Sequence, residues 1–139
     1  MKLGPMNHVG IAVPDLETAV TRYKDIFNAT DISDVITMDD RGLYVQFVNL
    51  PTGQVELIAP MHGKTAITKF LEKNPAGGQH HICFEVADIH DAVADMTAKN
   101  IRVLGEPRVG AHGTPVIFLH PKDMGGVLIE LMETPEHPH

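Results

Sequence analysis

Residues 8–20 read HVGIAVPDLETAV and residues 81–93 read HICFEVADIHDAV. At an offset of 73 residues the two stretches share the opening His8 and His81, then Val13 and Val86, Asp15 and Asp88, Ala19 and Ala92, and Val20 and Val93. Each is a histidine that opens an apolar run, followed by an acidic turn and the start of a helix. A second echo follows each copy, VELI at 55–58 and IELM at 129–132, with Glu56 and Glu130 at an offset of 74. Self-similarity at a fixed spacing marks a duplicated unit. Here it sets two histidines and two glutamates in equivalent places.

Outward from the first copy, residues 7–13 alternate, with His8, Gly10 and Ala12 on one face and Val9, Ile11 and Val13 on the other. Asp15 is positioned to cap a helix over 16–28 whose apolar face is Leu16, Ala19, Val20, Tyr23 and Phe27. Residues 31–38 read as a strand, 39–42 (DDRG) as a turn, 43–50 as the returning strand and 54–58 as a fourth strand. The order is β-α-β-β-β. Residues 61–78 link the halves and carry a short helix over 65–73, ended by Pro75-Ala76-Gly77-Gly78. The pattern then restarts: strand 80–86, helix 89–100, strand 101–104, a Gly/Pro loop, strand 114–120, turn 121–126 and strand 127–132. The expected organisation is a single domain over 1–139, with a βαβββ module at 5–60, the linker at 61–78, a second module at 79–133 and a frayed tail that includes His137 and His139. The fold class is α+β. The two modules are expected to set their sheets edge to edge as a curved half-barrel, with helices outside and the His/Glu faces lining the concavity.

Composition narrows the partners. A formal charge of −7 over 139 residues argues against nucleic acid or an anionic membrane, and no apolar run reaches membrane-spanning length. The single cysteine, Cys83, excludes an internal disulfide and reads as a small buried thiol in an apolar strand. No targeting segment precedes the first strand, which predicts a cytoplasmic chain, or a mitochondrial matrix chain already processed.

Glu56 lies between Val55 and Leu57, and Glu130 between Ile129 and Leu131. A carboxylate among apolar neighbours is costly to bury unpaired, and a metal ion removes that cost. Recurrence in register points to His8, Glu56, His81 and Glu130 as ligands of one divalent ion. Imidazole and carboxylate donors suit Zn, Co, Ni, Mn or Mg, and an octahedral ion would keep two positions open for substrate or water. His80 adjoins His81 but points to the opposite face. Glu85 shares the His81 face, yet four residues along a strand is roughly 13 Å, too far to ligate the same ion. His112 and His120 stand in a loop and at a strand end, where they can orient substrate.

The chain resembles the vicinal oxygen chelate (glyoxalase) superfamily, whose members pair βαβββ modules around a metal. Within it the chain is similar to the methylmalonyl-CoA epimerase family. The residues that carry this likeness are NHVGIAVPDLETAV at 7–20, FVNLPTGQVELIAP at 47–60, ITKFLEKNPAGGQHHICFEV at 67–86 and VGAHGTPVIFLHPKDMGGVLIEL at 109–131. The resemblance implies a homodimeric isomerase of propionate metabolism, dependent on cobalt or another divalent metal, that interconverts (R)- and (S)-methylmalonyl-CoA. The family's ligands carry over to His8, Glu56, His81 and Glu130, with Glu56 at a position where some relatives have Gln. Glu130 is the expected base. Some bacterial relatives carry a further Glu on the strand matching 43–50. Here that strand is LYVQFVNL, with Val45 and Gln46 near the position and no carboxylate. Gln46, His112, His120 and Lys122 are the expected substrate-binding residues, and Lys64, Lys69, Lys73, Arg108 and Lys122 the cations available to CoA phosphates. Two rivals share the fold, a glyoxalase I-type lactoylglutathione lyase and a metal-free small-molecule binding protein. The lyase would need glutathione recognition, and the binding protein has no use for two buried His/Glu pairs.

Overall fold

The computed structural model describes residues 1–136, so His137 and His139 of the tail lie outside the described residues. The chain packs as two compact units, residues 8–80 and residues 81 onward together with residues 1–7. The linker segment 61–78 thus belongs to the first unit, and the boundary between the units falls inside the first strand.

The first unit is built from β1 (Met6–Ala12), α1 (Leu16–Phe27), β2 (Ile36–Met38), β3 (Leu43–Leu50), β4 (Gly53–Pro60) and α2 (Ala66–Lys73). Its strand order is β2-β3-β4-β1, with β1 parallel to β4 and the other pairs antiparallel. Asp15 starts α1 by accepting from the Thr18 N–H at 2.9 Å and the Thr18 hydroxyl at 2.7 Å. Those bonds hold the Asp15 carboxyl below the usual carboxylate range. Asn28, in the left-handed conformation at φ 55°, ends the helix. Leu16, Ala19 and Val20 of α1 pack with Val13, Val48, Leu57 and Ala59, and Ile11, Tyr23 and Val55 border that core. Burial of a side chain such as Leu57, with no exposed surface, stabilises the fold by roughly 1.5–3 kcal/mol. Period-two alternation then leaves His8, Gly10 and Glu56 on the face turned away from α1.

The second unit contains β5 (Gly78–Val86), whose first three residues belong to the first unit, then α3 (Ile89–Ala98), β6 (Arg108–Val109), β7 (Pro115–Leu119) and β8 (Ile129–Glu133). The order β5-β8-β7-β6 repeats the first unit's plan, with β5 parallel to β8 and the rest antiparallel. Asp88 caps α3 from the position equivalent to Asp15, accepting from the N–H groups of His90 and Asp91 at 2.8 and 3.0 Å. Ile89, Ala92 and Met96 bury against Val86, Ile117, Leu119, Ile129 and Leu131. Residues 1–7 join this unit through backbone bonds, Gly4 N–H to the Glu85 carbonyl at 2.8 Å and Glu85 N–H to the Pro5 carbonyl at 2.9 Å.

Three elements differ from the pattern read in the sequence. The strand expected over 31–38 is ordered as a ladder only at Ile36–Met38, with a lone bridge from Ile32 to Val48. Ser33 interrupts it: its hydroxyl accepts from Phe47 N–H and donates to the Asp34 carbonyl, replacing ladder bonds with side-chain ones. The strand expected over 101–104 is reduced to a bridge between Val103 and Leu119, because the Arg102 N–H is taken by the Asp123 carboxylate at 2.9 Å. Phe27, expected on the buried face of α1, is 68% exposed and leans on Tyr23 with ring centroids 5.7 Å apart. At the break after α2, Gly77 adopts φ 94°, and a Cβ there would meet the Ala12 carbonyl oxygen at 2.6 Å. Only glycine fits.

Candidate metal centre

In the first unit, β1 and β4 run parallel with Gly10 beside Glu56 and His8 beside Gln54. Gly10 has no side chain to crowd the carboxylate. His8 Nε2 lies 3.5 Å from Glu56 Oε2, and the two residues are 2% and 7% exposed. In the second unit, Cys83 takes the place of Gly10 beside Glu130. His81 Nε2 lies 3.3 Å from Glu130 Oε1, with 3% and 6% exposure. The antiparallel partner of Glu56 is Phe47, and that of Glu130 is Phe118. Each carboxylate therefore has a small residue on one side and an aromatic on the other. The Phe118 ring meets the His81 ring edge-on at 5.5 Å.

The donor sets fit a divalent ion. Two ligand atoms about 2.1 Å from a shared ion, at right to tetrahedral angles, are roughly 3.0–3.4 Å apart. The separations of 3.5 and 3.3 Å within the two pairs are of that size. Ionised carboxylates this deeply buried need a cation or strong donors.

The remaining sequence candidates fall in several places. Gln46 is half-buried, and its amide donates to the Ser33 carbonyl at 2.9 Å. His112 is buried in the turn between β6 and β7, where Gly113 N–H bonds the Gly110 carbonyl at 3.0 Å. His120 is half-buried and accepts from the Lys122 N–H through Nδ1 at 3.1 Å. Lys64, Lys69, Lys73, Arg108 and Lys122 are exposed. Cys83 is fully buried against Val116 and Met132. Glu85 accepts from the Asn7 side chain at 3.0 Å. His80 packs edge-on against Phe70 of α2 at 5.3 Å, as its opposite parity to His81 requires.

One feature of this face escaped the sequence reading. Gln54, in register with His8, is 8% exposed and donates to Asn49 at 2.7 Å, and Asn49 donates to Asp31 at 3.0 Å. Its parity with Glu56, two residues on, was the available signal. A cavity of about 230 Å³ opens beside α1, lined by Ile11, Val13, Tyr23 and Leu57 among others. It is on the face away from His8 and Glu56.

A profile of the Glyoxalase/Bleomycin resistance protein/Dioxygenase superfamily matches residues 7–118. The chain belongs to this superfamily. Within the superfamily it is similar to the mouse protein named methylmalonyl-CoA epimerase, mitochondrial, with 53% identity over 94% of this chain and 73% of the mouse chain. It is 49% identical to the ethylmalonyl-CoA/methylmalonyl-CoA epimerase of Cereibacter sphaeroides, over 93% of this chain and 97% of that one. A solved structure of a variant methylmalonyl-CoA epimerase from Streptomyces coelicolor, in complex with 2-nitronate-propionyl-CoA, superposes with a TM-score of 0.90. It is 32% identical and covers 99% of both chains. The paired βαβββ modules of this chain are thus those of a superfamily member through nearly their whole length. No helix among the described residues is long and apolar enough to cross a membrane.

Proposed function

We propose that this chain is a divalent-metal-dependent methylmalonyl-CoA epimerase. The observation that carries the reading is the buried His–Glu pair repeated in register in both units, at 3.5 and 3.3 Å, in a chain about half identical to named epimerases over almost all its length. His8, Glu56, His81 and Glu130 are the proposed ligands of a single ion, with cobalt first among Co, Zn, Ni, Mn and Mg. The proposal includes a homodimer, an acyl-CoA substrate and a cytoplasmic or mitochondrial-matrix location.

Inversion of the α-carbon requires removing its proton and returning one to the other face. Held by these four residues, a divalent ion would supply Lewis-acid stabilisation of the charge that develops on the thioester oxygen. His8 and His81 would bind the ion through Nε2, the ring nitrogen that faces Glu56 and Glu130 at 3.5 and 3.3 Å. Glu130 accepts the α-proton at its carboxylate, within reach of a carbon held between the thioester and the free carboxylate of the substrate, and a proton drawn from water on the opposite face of that carbon completes the inversion. Glu130 is 6% exposed and so largely withdrawn from bulk water, which sharpens every electrostatic contact there.

The test is incubation of the metal-loaded protein with methylmalonyl-CoA in deuterated water. Deuterium is expected to enter the α-carbon with the thioester intact and no new product. Turnover of a glutathione hemithioacetal with no α-exchange would transfer the assignment to a glyoxalase I-type lyase. Neither reaction, together with no metal uptake, would favour a binding protein.

A further inference from the structure

His120 directly follows β7, two residues beyond Phe118. Phe118 marks the Glu130 face, since it is the antiparallel partner of Glu130 and its ring meets His81. His120 lies two residues further, just past the strand at φ −60° and ψ 128°, and the alternation of β7 carried on by one residue assigns its side chain to the same side. Leu119 between them belongs to the core under α3. Diagonal neighbours across an antiparallel pair have Cα atoms roughly 7–8 Å apart, a span that an aromatic side chain covers. A substrate atom held at the Glu130 carboxylate is therefore within reach of the His120 ring.

The ring's tautomer is determined by the chain itself. Nδ1 accepts the Lys122 N–H at 3.1 Å, so the neutral ring carries its hydrogen on Nε2. The neighbouring carboxylate of Asp123 is engaged on both oxygens by the Arg102 guanidinium, at 2.9 and 3.0 Å. Asn49 occupies the equivalent diagonal position to Glu56 in the first unit, and there Gln54 donates to it at 2.7 Å. At His120 the register, continued by one residue, sets Leu128 opposite, whose side chain has no acceptor to offer.

We propose that His120 is a neutral hydrogen-bond donor of the epimerase site, with Nε2–H directed at an oxygen of the substrate's malonyl group. The inference rests on the epimerase reading above. In this role the ring donates without losing its proton, and its bond strengthens as charge builds on the oxygen. The ring then cannot serve as proton acceptor, because the lone pair a base would need is turned to Lys122.

The test uses two variants that divide the ring's functions. His120→Asn keeps an acceptor where Nδ1 stands and lacks the distant N–H. His120→Gln keeps an N–H near the Nε2 position and loses the cap. With metal saturating, His120→Asn should lower kcat for α-exchange about 100-fold or more, with KM and Tm much less affected. His120→Gln should stay within about tenfold of the parent kcat at a lower Tm, since it retains the donor. The opposite order, or equal losses in both, would overturn the proposal and make His120 a cap alone. Independently of activity, long-range ¹H–¹⁵N correlation of the imidazole above neutral pH should show the Nε2-protonated neutral tautomer. An Nδ1-protonated ring would overturn the proposal. Failure of the parent protein to exchange the α-proton would instead strike the epimerase reading, and the tautomer measurement keeps the two apart.

Discussion

His81 Nε2 and Glu130 Oε1 lie 3.3 Å apart on the parallel neighbours β5 and β8, and both side chains are more than nine-tenths buried. His8 and Glu56 repeat the relationship at 3.5 Å on β1 and β4. Two carboxylates taken out of water beside imidazoles are held at an electrostatic cost that a divalent ion offsets. Metal should therefore stabilise the fold as well as serve catalysis. At free metal about 100 times its Kd the gain is about 2.7 kcal/mol, which thermal unfolding with and without chelator would register as several degrees. Identical melting curves in the two conditions would remove the ion from the proposed site.

The second prediction isolates one ligand. In His81→Ala an imidazole proposed to supply one of four protein bonds to the ion is lost, so metal affinity should fall by at least about 100-fold, with α-exchange lost alongside it. Metal analysis after gel filtration, paired with the deuterium assay, measures both. Stoichiometric metal with full turnover in this variant would break the proposed ligand set.

A third prediction concerns acid stability. The Arg102 side-chain hydrogen bonds, with the Arg102 backbone N–H, hold the Asp123 carboxyl down to about 2 against an ordinary 3.8. A lowered folded-state pKa contributes stability above the unfolded value and loses it as pH falls through the folded one. The contribution is thus present above about pH 4 and disappears toward pH 2. Melting temperatures of the parent and Asp123→Asn should differ most near neutral pH and converge in that acid window. The pair is exposed, so the difference should be small and should shrink in high salt. A gap that stays constant down to pH 2 would show that Asp123 acts only through shape.

The buried His/Glu face was legible because burial alternates with period two. Glu56 between Val55 and Leu57, and Glu130 between Ile129 and Leu131, announce a face distinct from the one under the helices. Asp15 was readable as a cap because an acidic side chain before an apolar helical period has few other uses, and Asp88 repeats it at an offset of 73. What the sequence hid depends on partners distant along the chain. Nothing near residues 1–5 announces that Gly4 and Pro5 bond Glu85, some eighty residues away. Residues 101–104 have strand composition, but Asp123 takes the Arg102 N–H from a turn that periodicity cannot place. Ser33 sits in an otherwise alternating stretch, and its hydroxyl bonds the backbone in ways that propensity does not record. Gln54 had the right parity, yet a lone amide beside a candidate ligand draws no notice until Asn49 is seen to receive it.

The last prediction concerns Glu130 and Glu56, which hold equivalent places and are proposed to differ in role. In the proposed function Glu130 is both ligand and base, and Glu56 a ligand alone. Substituting Gln keeps an oxygen that can ligate, removes the proton acceptor and leaves the site one charge more positive. In both variants metal should bind more weakly, and excess metal should restore occupancy. Only Glu130→Gln should then remain defective, because a general base contributes about 10²–10⁴-fold and the amide cannot take the α-proton. Glu56→Gln should recover most of the parent's exchange rate once its ion is supplied. The measurement is α-proton exchange against added metal, with occupancy followed in the same samples. Equal losses that excess metal rescues in both variants would reduce Glu130 to a ligand. The proton acceptor would then have to be sought elsewhere, with the buried His112 the first side chain to replace.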